Sequence, residues 1–275
     1  MTATSLRRRA PGIILIVAAM LYSVVPLVSM FCAAVAAPGS FPAGLSWPAH
    51  PHWHNFVAAW DIANMTTLLK SSILIVAGVV PVSVLISTMA AYAIVLLRIP
   101  LGRVFFAVLL LTLVLPYELV VVPLYQQEQQ MGILNTRWAL ILPLIGLNMP
   151  FAIFWMRAHF LTMPAQLSEA GSIDGAGPWR IFRSIHVPLA RPAIASLALL
   201  IFLSTWNQFL LALVLISNPA DRTMAGALQA FVTKYSTNEV LLNAGALLMM
   251  APTIIVFLFL QRHFVKALLQ GAVKG

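Results

Sequence analysis

Six long apolar runs divide the chain, at 12–36, 71–97, 104–125, 138–156, 193–217 and 240–260. A helix crossing a hydrocarbon layer of about 30 Å needs roughly 20 residues, and each run approaches or exceeds that length. The runs are continuous rather than alternating, so they predict helices and not the strands of a membrane barrel. Several contain a proline: Pro26, Pro81, Pro116, Pro143, Pro150 and Pro252. In water these would argue against helix; in a bundle, neighbouring helices and local adjustment re-satisfy the freed backbone groups. The pattern predicts an all-α membrane protein of six transmembrane helices in a single domain over 1–275. Most connections are short, but the one at 157–192 is long and patterned.

The first run has a second reading. Arg7, Arg8 and Arg9 precede it, and Ala34-Val35-Ala36 resembles a signal-peptide cleavage site. The run is longer than the 7–15 residues usual for a signal core, so a retained helix is expected.

Composition and charge add direction. Of 275 residues, 61% are hydrophobic and 8% charged, against about 25% charged in soluble domains. Lipid must therefore be part of the solvent. The formal charge of +9 would suggest nucleic acid on a soluble protein, but here the basic residues sit sparsely between apolar runs, as topology signals do. A cytoplasmic N-terminus places Arg7, Arg8, Arg9, Arg98, Arg103, Arg157, Arg180, Arg183, Arg191, Arg262, Lys266 and Lys274 inside. It leaves Lys70, Arg137, Arg222 and Lys234 outside. This bias predicts that both termini are cytoplasmic. Trp47, Trp53, Trp60 and Trp138 then fall near the outer boundary, where amphipathic rings concentrate. The one cysteine, Cys32, has no partner for an internal disulfide, and His50, His52 and His54 alternate in a loop without metal-ligand spacing, so no metal site is expected. No phosphate-binding Gly-x-x-x-x-Gly-Lys-Ser/Thr motif is present; the chain is not expected to be an enzyme or to hydrolyse ATP.

Local chemistry predicts two short helices within 157–192. Thr162 or Met163 would cap the first, with Pro164 in its first turn, and Gly175 after Asp174 would end it in a left-handed turn. Pro178 starts the second, where Trp179, Phe182 and Ile185 form one apolar face and Arg180 and Arg183 another. Pro188 and Pro192 mark re-entry into the membrane. Such an element either docks on another protein or lies on the lipid surface; local pattern does not choose.

Here the sequence resembles a family. Glu169-Ala170-Gly171, Asp174-Gly175-Ala176, then Phe182, Ile185, Pro188-Leu189 and Pro192 resemble the signature loop of ABC importer permeases. Gly132-Ile133-Leu134-Asn135-Thr136, Ser204-Thr205-Trp206-Asn207-Gln208 and the terminal Gly271-Ala272-Val273-Lys274-Gly275 extend the likeness over roughly 85–275. The set resembles the carbohydrate-uptake permeases of the maltose-transporter type, the smaller permease partner. Two positions depart from the pattern: Gly171 replaces a usual Ala, and Val187 a usual Leu.

The resemblance implies a type I ABC importer permease fold in the cell inner or plasma membrane. It implies as partners a second permease, two ATPase subunits and an extracytoplasmic sugar-binding protein, beside membrane lipid; no nucleic-acid partner is expected. ATP and Mg would be used by the ATPases, and no cofactor would be bound by this chain. Glu169, Ala170, Gly171, Asp174, Gly175 and Ala176 would couple to one ATPase, with Ala170 and Gly171 small to let the helix seat closely. Val273, Lys274 and Gly275 would reach the ATPase interface. In the loop 218–239, Asp221, Arg222, Lys234 and Tyr235 would face the binding protein.

Polar groups inside spans are candidates for the substrate path. Asn207 lies roughly 21 Å along the fifth run at 1.5 Å per residue. Asn207 and Gln208 could hydrogen-bond sugar hydroxyls, and Trp206 could stack on a sugar face; helix–helix hydrogen bonding is the plainer role. Glu118 would line the pathway, pair with an arginine or sit at the outer interface. Two alternatives stay open. One is an importer of glycerol phosphate or another polar solute, against which the lack of an intramembrane Lys or Arg weighs. The other is an ion-coupled secondary transporter, against which the lack of repeats and mid-span ionisable groups weighs.

Overall fold

The computed structural model describes residues 3–41, 44–232 and 236–272, with side chains over 12–41, 44–232 and 236–261. The described residues are almost entirely helical or looped; their one strand-like feature is an isolated bridge between Val232 and Thr237. Among the described residues, four uninterrupted helices are long and apolar enough to cross a membrane: α1 (Ala3–Ala34), α3 (Met65–Val95), α6 (Trp138–Phe160) and α11 (Glu239–Ala272). Between α1 and α3 the connection forms a short helix, α2 (His54–Ile62), which the apolar pattern did not predict.

The third run is not one straight helix. α4 (Gly102–Val114) stops at Leu115 and Pro116, which are extended with ψ of 128° and 127°. A 3-10 turn, Tyr117–Val120, then leads into α5 (Val121–Met131), and the two segments meet at 94°. Pro116 causes the break: it has no N–H for the helix ladder and forces the preceding residue into extended geometry. Pro81, Pro143, Pro150 and Pro252 instead lie inside unbroken helices.

The fifth run breaks as well. α7 (Gln166–Ile173) and α8 (Pro178–Leu189) form a helical hairpin, and α8 meets α9 (Arg191–Trp206) at 76°. α9 ends at Asn207, and a separate short helix, α10 (Leu210–Leu215), follows. At 16 residues, α9 is roughly 24 Å long, shorter than the run predicted. The last helix runs well past residue 260, where the run ended; the strong helix formers of 261–270 carry it on.

The chain divides into two compact units, Met1–Met65 with Ala227–Ala251, and Thr66–Gly226 with Pro252–Gly275. In the first, Asn55 of α2 donates to the carbonyls of Ala34 and Ala36, both at 2.9 Å. These are acceptors that the end of α1 cannot satisfy itself. Phe31 packs with Trp47, Trp53 and Phe56 beside them. In the second unit α6 lies at the centre. Leu140, Leu144, Met156 and Phe160 are buried there with Leu197 and Ile201 of α9 and Leu211 and Leu215 of α10.

Candidate functional site

Two regions of the second unit gather the polar chemistry. The first is the α7–α8 hairpin. Gly175, at φ +74°, ends α7; its N–H donates to the Ser172 carbonyl at 3.1 Å, and the Ala176 N–H to the Gly171 carbonyl at 2.9 Å. This pair of bonds is the glycine-closed helix end that the Asp-Gly sequence predicted. Glu169, Ala170 and Asp174 are exposed, and Ala176 is half-buried.

Two expectations for the hairpin need correction. Gly171 is buried, facing α8 rather than outward: a Cβ there would lie 2.9 Å from Ile185 Cδ1 and 3.1 Å from Ile181 Cγ1. Its smallness serves the packing of α7 on α8. Neither Thr162 nor Met163 caps α7, which begins at Gln166 without a side-chain cap; the Thr162 hydroxyl donates back to His159 at the end of α6. On α8 the Trp179 ring lies 5.3 Å from that of Phe182, as one apolar face requires, although Trp179 is 59% exposed while Ile181 and Phe182 are buried. The middle of α8, Phe182–His186, is wound as a π-helix.

The hairpin is tied to the bundle. Tyr92, near the end of α3, donates from Oη to the Pro178 carbonyl at 2.9 Å, and its ring lies 4.9 Å from Phe182. The buried His186 imidazole holds α7 through Ser168, at 2.8 Å from Nε2, and contacts the Met163 sulfur at 3.3 Å from Nδ1. Sequence reasoning missed Tyr92, Ser168 and His186, whose pairing is spread over separate segments. It also missed Ile173, which stands 86% exposed on α7 beside the outward carboxyl groups. An apolar residue off the buried face of a short helix was the available signal.

The second region is a cavity of about 650 Å³. Its wall includes the interruption of the third run, from Leu115 to Glu118, together with Asn148 and Pro150 of α6 and Ser204 and Gln208 of the fifth. Both broken spans thus open onto one space. Non-helical backbone is tolerated at membrane depth only where protein buries it or a water-filled cavity meets it. Among the predicted path residues, Glu118 and Gln208 line this cavity. Trp206 and Asn207 do not. Trp206 is buried, its ring 5.5 Å from Phe202. Asn207 turns its amide back to the Leu203 carbonyl at 2.9 Å, where it ends α9. Asn148 was missed: the apolar run around it hid a buried amide whose Nδ2 donates to Leu144 at 2.7 Å.

The interruption at Gln208 is held from the connection that follows α10. Thr223 Oγ1 donates to the Gln208 carbonyl at 2.6 Å, and Gln208 Oε1 accepts the Leu211 N–H at 3.3 Å. The next residue, Met224, donates its N–H to Ser72 Oγ of α3 at 2.6 Å. Arg137 pairs with Asp221 at 2.6 Å and donates to Ser71, which itself donates to the Asp221 carbonyl. Asp221 and Arg222 are therefore engaged in holding this connection. Lys234, Tyr235, Val273, Lys274 and Gly275 lie outside the described residues.

Both broken spans open onto a cavity whose wall is mostly apolar, with amide, hydroxyl and carboxyl groups set into it. The fold of the chain matches, with a TM-score of 0.80, a chain of a bacterial ABC transporter that imports the acidic polysaccharide alginate; the match covers 96% of this chain and 99% of that one at 21% identity. Residues 83–270 match the family of binding-protein-dependent transport system inner membrane components, and the chain belongs to that family. It is 35% identical to the probable ABC transporter permease YurM of Bacillus subtilis, over 84% of this chain and 77% of that protein. It is 32% identical to the diacetylchitobiose uptake permease NgcG of Streptomyces coelicolor over 82% and 76%. It is 34% identical to the arabinooligosaccharide permease AraQ of Halalkalibacterium halodurans over 80% and 79%. The chain is a membrane-embedded permease of an ABC importer, a transport component with the fold its signature loop implied.

Proposed function

We propose that this permease forms half of the translocation path for a sugar or sugar derivative delivered by an extracytoplasmic binding protein, with both of its own termini in the cytoplasm. A second permease completes the path. Two ATPase subunits bind and hydrolyse ATP with Mg, and this chain binds no cofactor. The observation that carries the reading is the meeting of both interrupted spans at one cavity with amide, hydroxyl and carboxyl groups on its wall. Such groups suit a polyhydroxylated solute, and similar permeases serve oligosaccharides.

The exposed side of α7, carrying Glu169, Ala170, Ile173 and Asp174, docks on one ATPase. A charged group beside an exposed apolar side chain suits a protein groove better than a lipid surface. Gly175 and the Gly171–Ile185 contact shape the hairpin from within, and Tyr92 anchors it, so that movement of the ATPase reaches α3 and α6. The tail Val273, Lys274 and Gly275 adds a second contact.

Reconstitution with the partner subunits tests this. Glu169→Lys is expected to cut sugar uptake by about a hundredfold, the scale of reversing one member of an interfacial charge pair, with insertion and melting unchanged. Uptake within twofold of the parent would remove Glu169 from the docking contact.

A further inference from the structure

We infer that the cavity selects its solute by charge, and that Glu118 is the residue that does so: the path takes neutral or cationic saccharides and rejects anionic ones. The inference rests on the carbohydrate reading above and narrows its substrate class.

Three observations carry it. Glu118 is the only charged side chain on the cavity wall among the described residues, and no Lys or Arg lines it. The carboxyl group stands on the 3-10 turn immediately after the Pro116 break and is exposed rather than folded into a protein ion pair. The remaining polar groups are neutral. The Asn148 amide donates to the Leu144 carbonyl through Nδ2, which leaves its oxygen as an acceptor. Gln208 has its oxygen on the Leu211 N–H, which leaves its N–H groups as donors. Ser204 and Tyr117 add hydroxyls. The wall therefore offers donors and acceptors for hydroxyl groups but no cation for a uronate or a phosphate ester. Such an anion would meet a like charge on this wall and no compensating cation. An amino sugar, protonated at neutral pH, would find a counter-charge. At about 650 Å³ the space lies within the ~300–1,000 Å³ range of small-molecule sites. Proline faces at Pro116 and Pro150 supply apolar surface for sugar ring faces.

The test uses the assembled transporter, free of nucleotide and of binding protein, so that the membrane path alone discriminates. Equilibrium dialysis measures three radiolabelled disaccharides: melibiose (neutral), the glucosamine dimer of chitosan (cationic) and digalacturonate (anionic). Digalacturonate is expected to bind at least about tenfold more weakly than melibiose. Relative to melibiose, Glu118→Gln should strengthen digalacturonate binding and weaken that of the glucosamine dimer, each by at least about threefold. Equal binding of digalacturonate and melibiose by the parent overturns the proposal, as do unchanged binding ratios in Glu118→Gln. If none of the three binds while the transporter with its binding protein still imports a saccharide, the cavity assignment is overturned and the carbohydrate reading stands. If the whole transporter imports a non-saccharide solute instead, the carbohydrate reading fails, and the charge rule with it.

Discussion

The α7–α8 hairpin and the break at Asn207–Phe209 interrupt helix by opposite means. The hairpin turns within its own few residues: Gly175 adopts a positive φ, and two N–H groups return to carbonyls of the same short helix. The break after α9 has neither glycine nor proline. Its flanking amides compete with the ladder, Asn207 for the Leu203 carbonyl and Gln208 for the Leu211 N–H. The final tie comes from Thr223 in the connection after α10, itself steadied where Ser72 meets Met224. One interruption is specified locally, the other by contacts between distant segments. A local turn can hold its shape while the bundle around it moves. A break held by another segment follows whatever moves that segment.

Substitutions can separate the two. The largest effect is expected from Gly171→Leu, which drives a branched side chain into Ile181 and Ile185. It should cost about 3 kcal/mol of hairpin stability by overpacking. Hydrogen exchange of amides 166–189 in the detergent-solubilised complex would register the loss, and retained protection there would show that α8 can back away. Gly175→Val is next, at about 2 kcal/mol, because a β-branched residue is strained at positive φ. The same amides should loosen while those around Gln208 stay protected; loosening of both regions together would end the claim that the hairpin is specified locally. The smallest effect is expected from Thr223→Val, at about 1 kcal/mol for one lost hydrogen bond. Protection should fall at Leu210–Leu213 and leave the hairpin untouched. If instead Leu210–Leu213 keeps its protection, the connection after α10 does not hold the break.

The same contrast explains what the sequence made readable. The apolar runs overlap the four long apolar helices and the two bent helix pairs found among the described residues, because helices of water-soluble domains seldom stay apolar over such a length. The Asp-Gly and Gly-Pro pairs located the hairpin turn, because φ constraints act on single residues. Pro116 was visible, but Pro81, Pro143 and Pro150 looked the same and did not break their helices. Only tertiary surroundings decide which proline opens a span. In the candidate site, Glu118 and Gln208 stood out as polar groups in apolar runs and do line the cavity. Asn207 and Trp206 stood out equally, yet one ends a helix and the other packs on Phe202. Their directions depend on where α9 stops, which a continuous run conceals. Gly171 was read as a concession to a partner, although its burial against α8 arises inside the chain. Tyr92, Ser168 and His186 carried no local mark, since their bonds join segments far apart in sequence.

The closure at Gly175 also limits how this protein could drift in evolution. α7 has only eight residues, and its last turn is locked in phase with the glycine. Inserting a single residue between Glu169 and Gly175 would swing the preceding side chains by about 100° around the helix axis. Glu169 would turn away from its outward position, and a side chain with a Cβ would arrive where α8 leaves no room. Point substitutions on the outer side leave that phase intact, so adaptation to a new motor can proceed by exchange of residues but not by change of length.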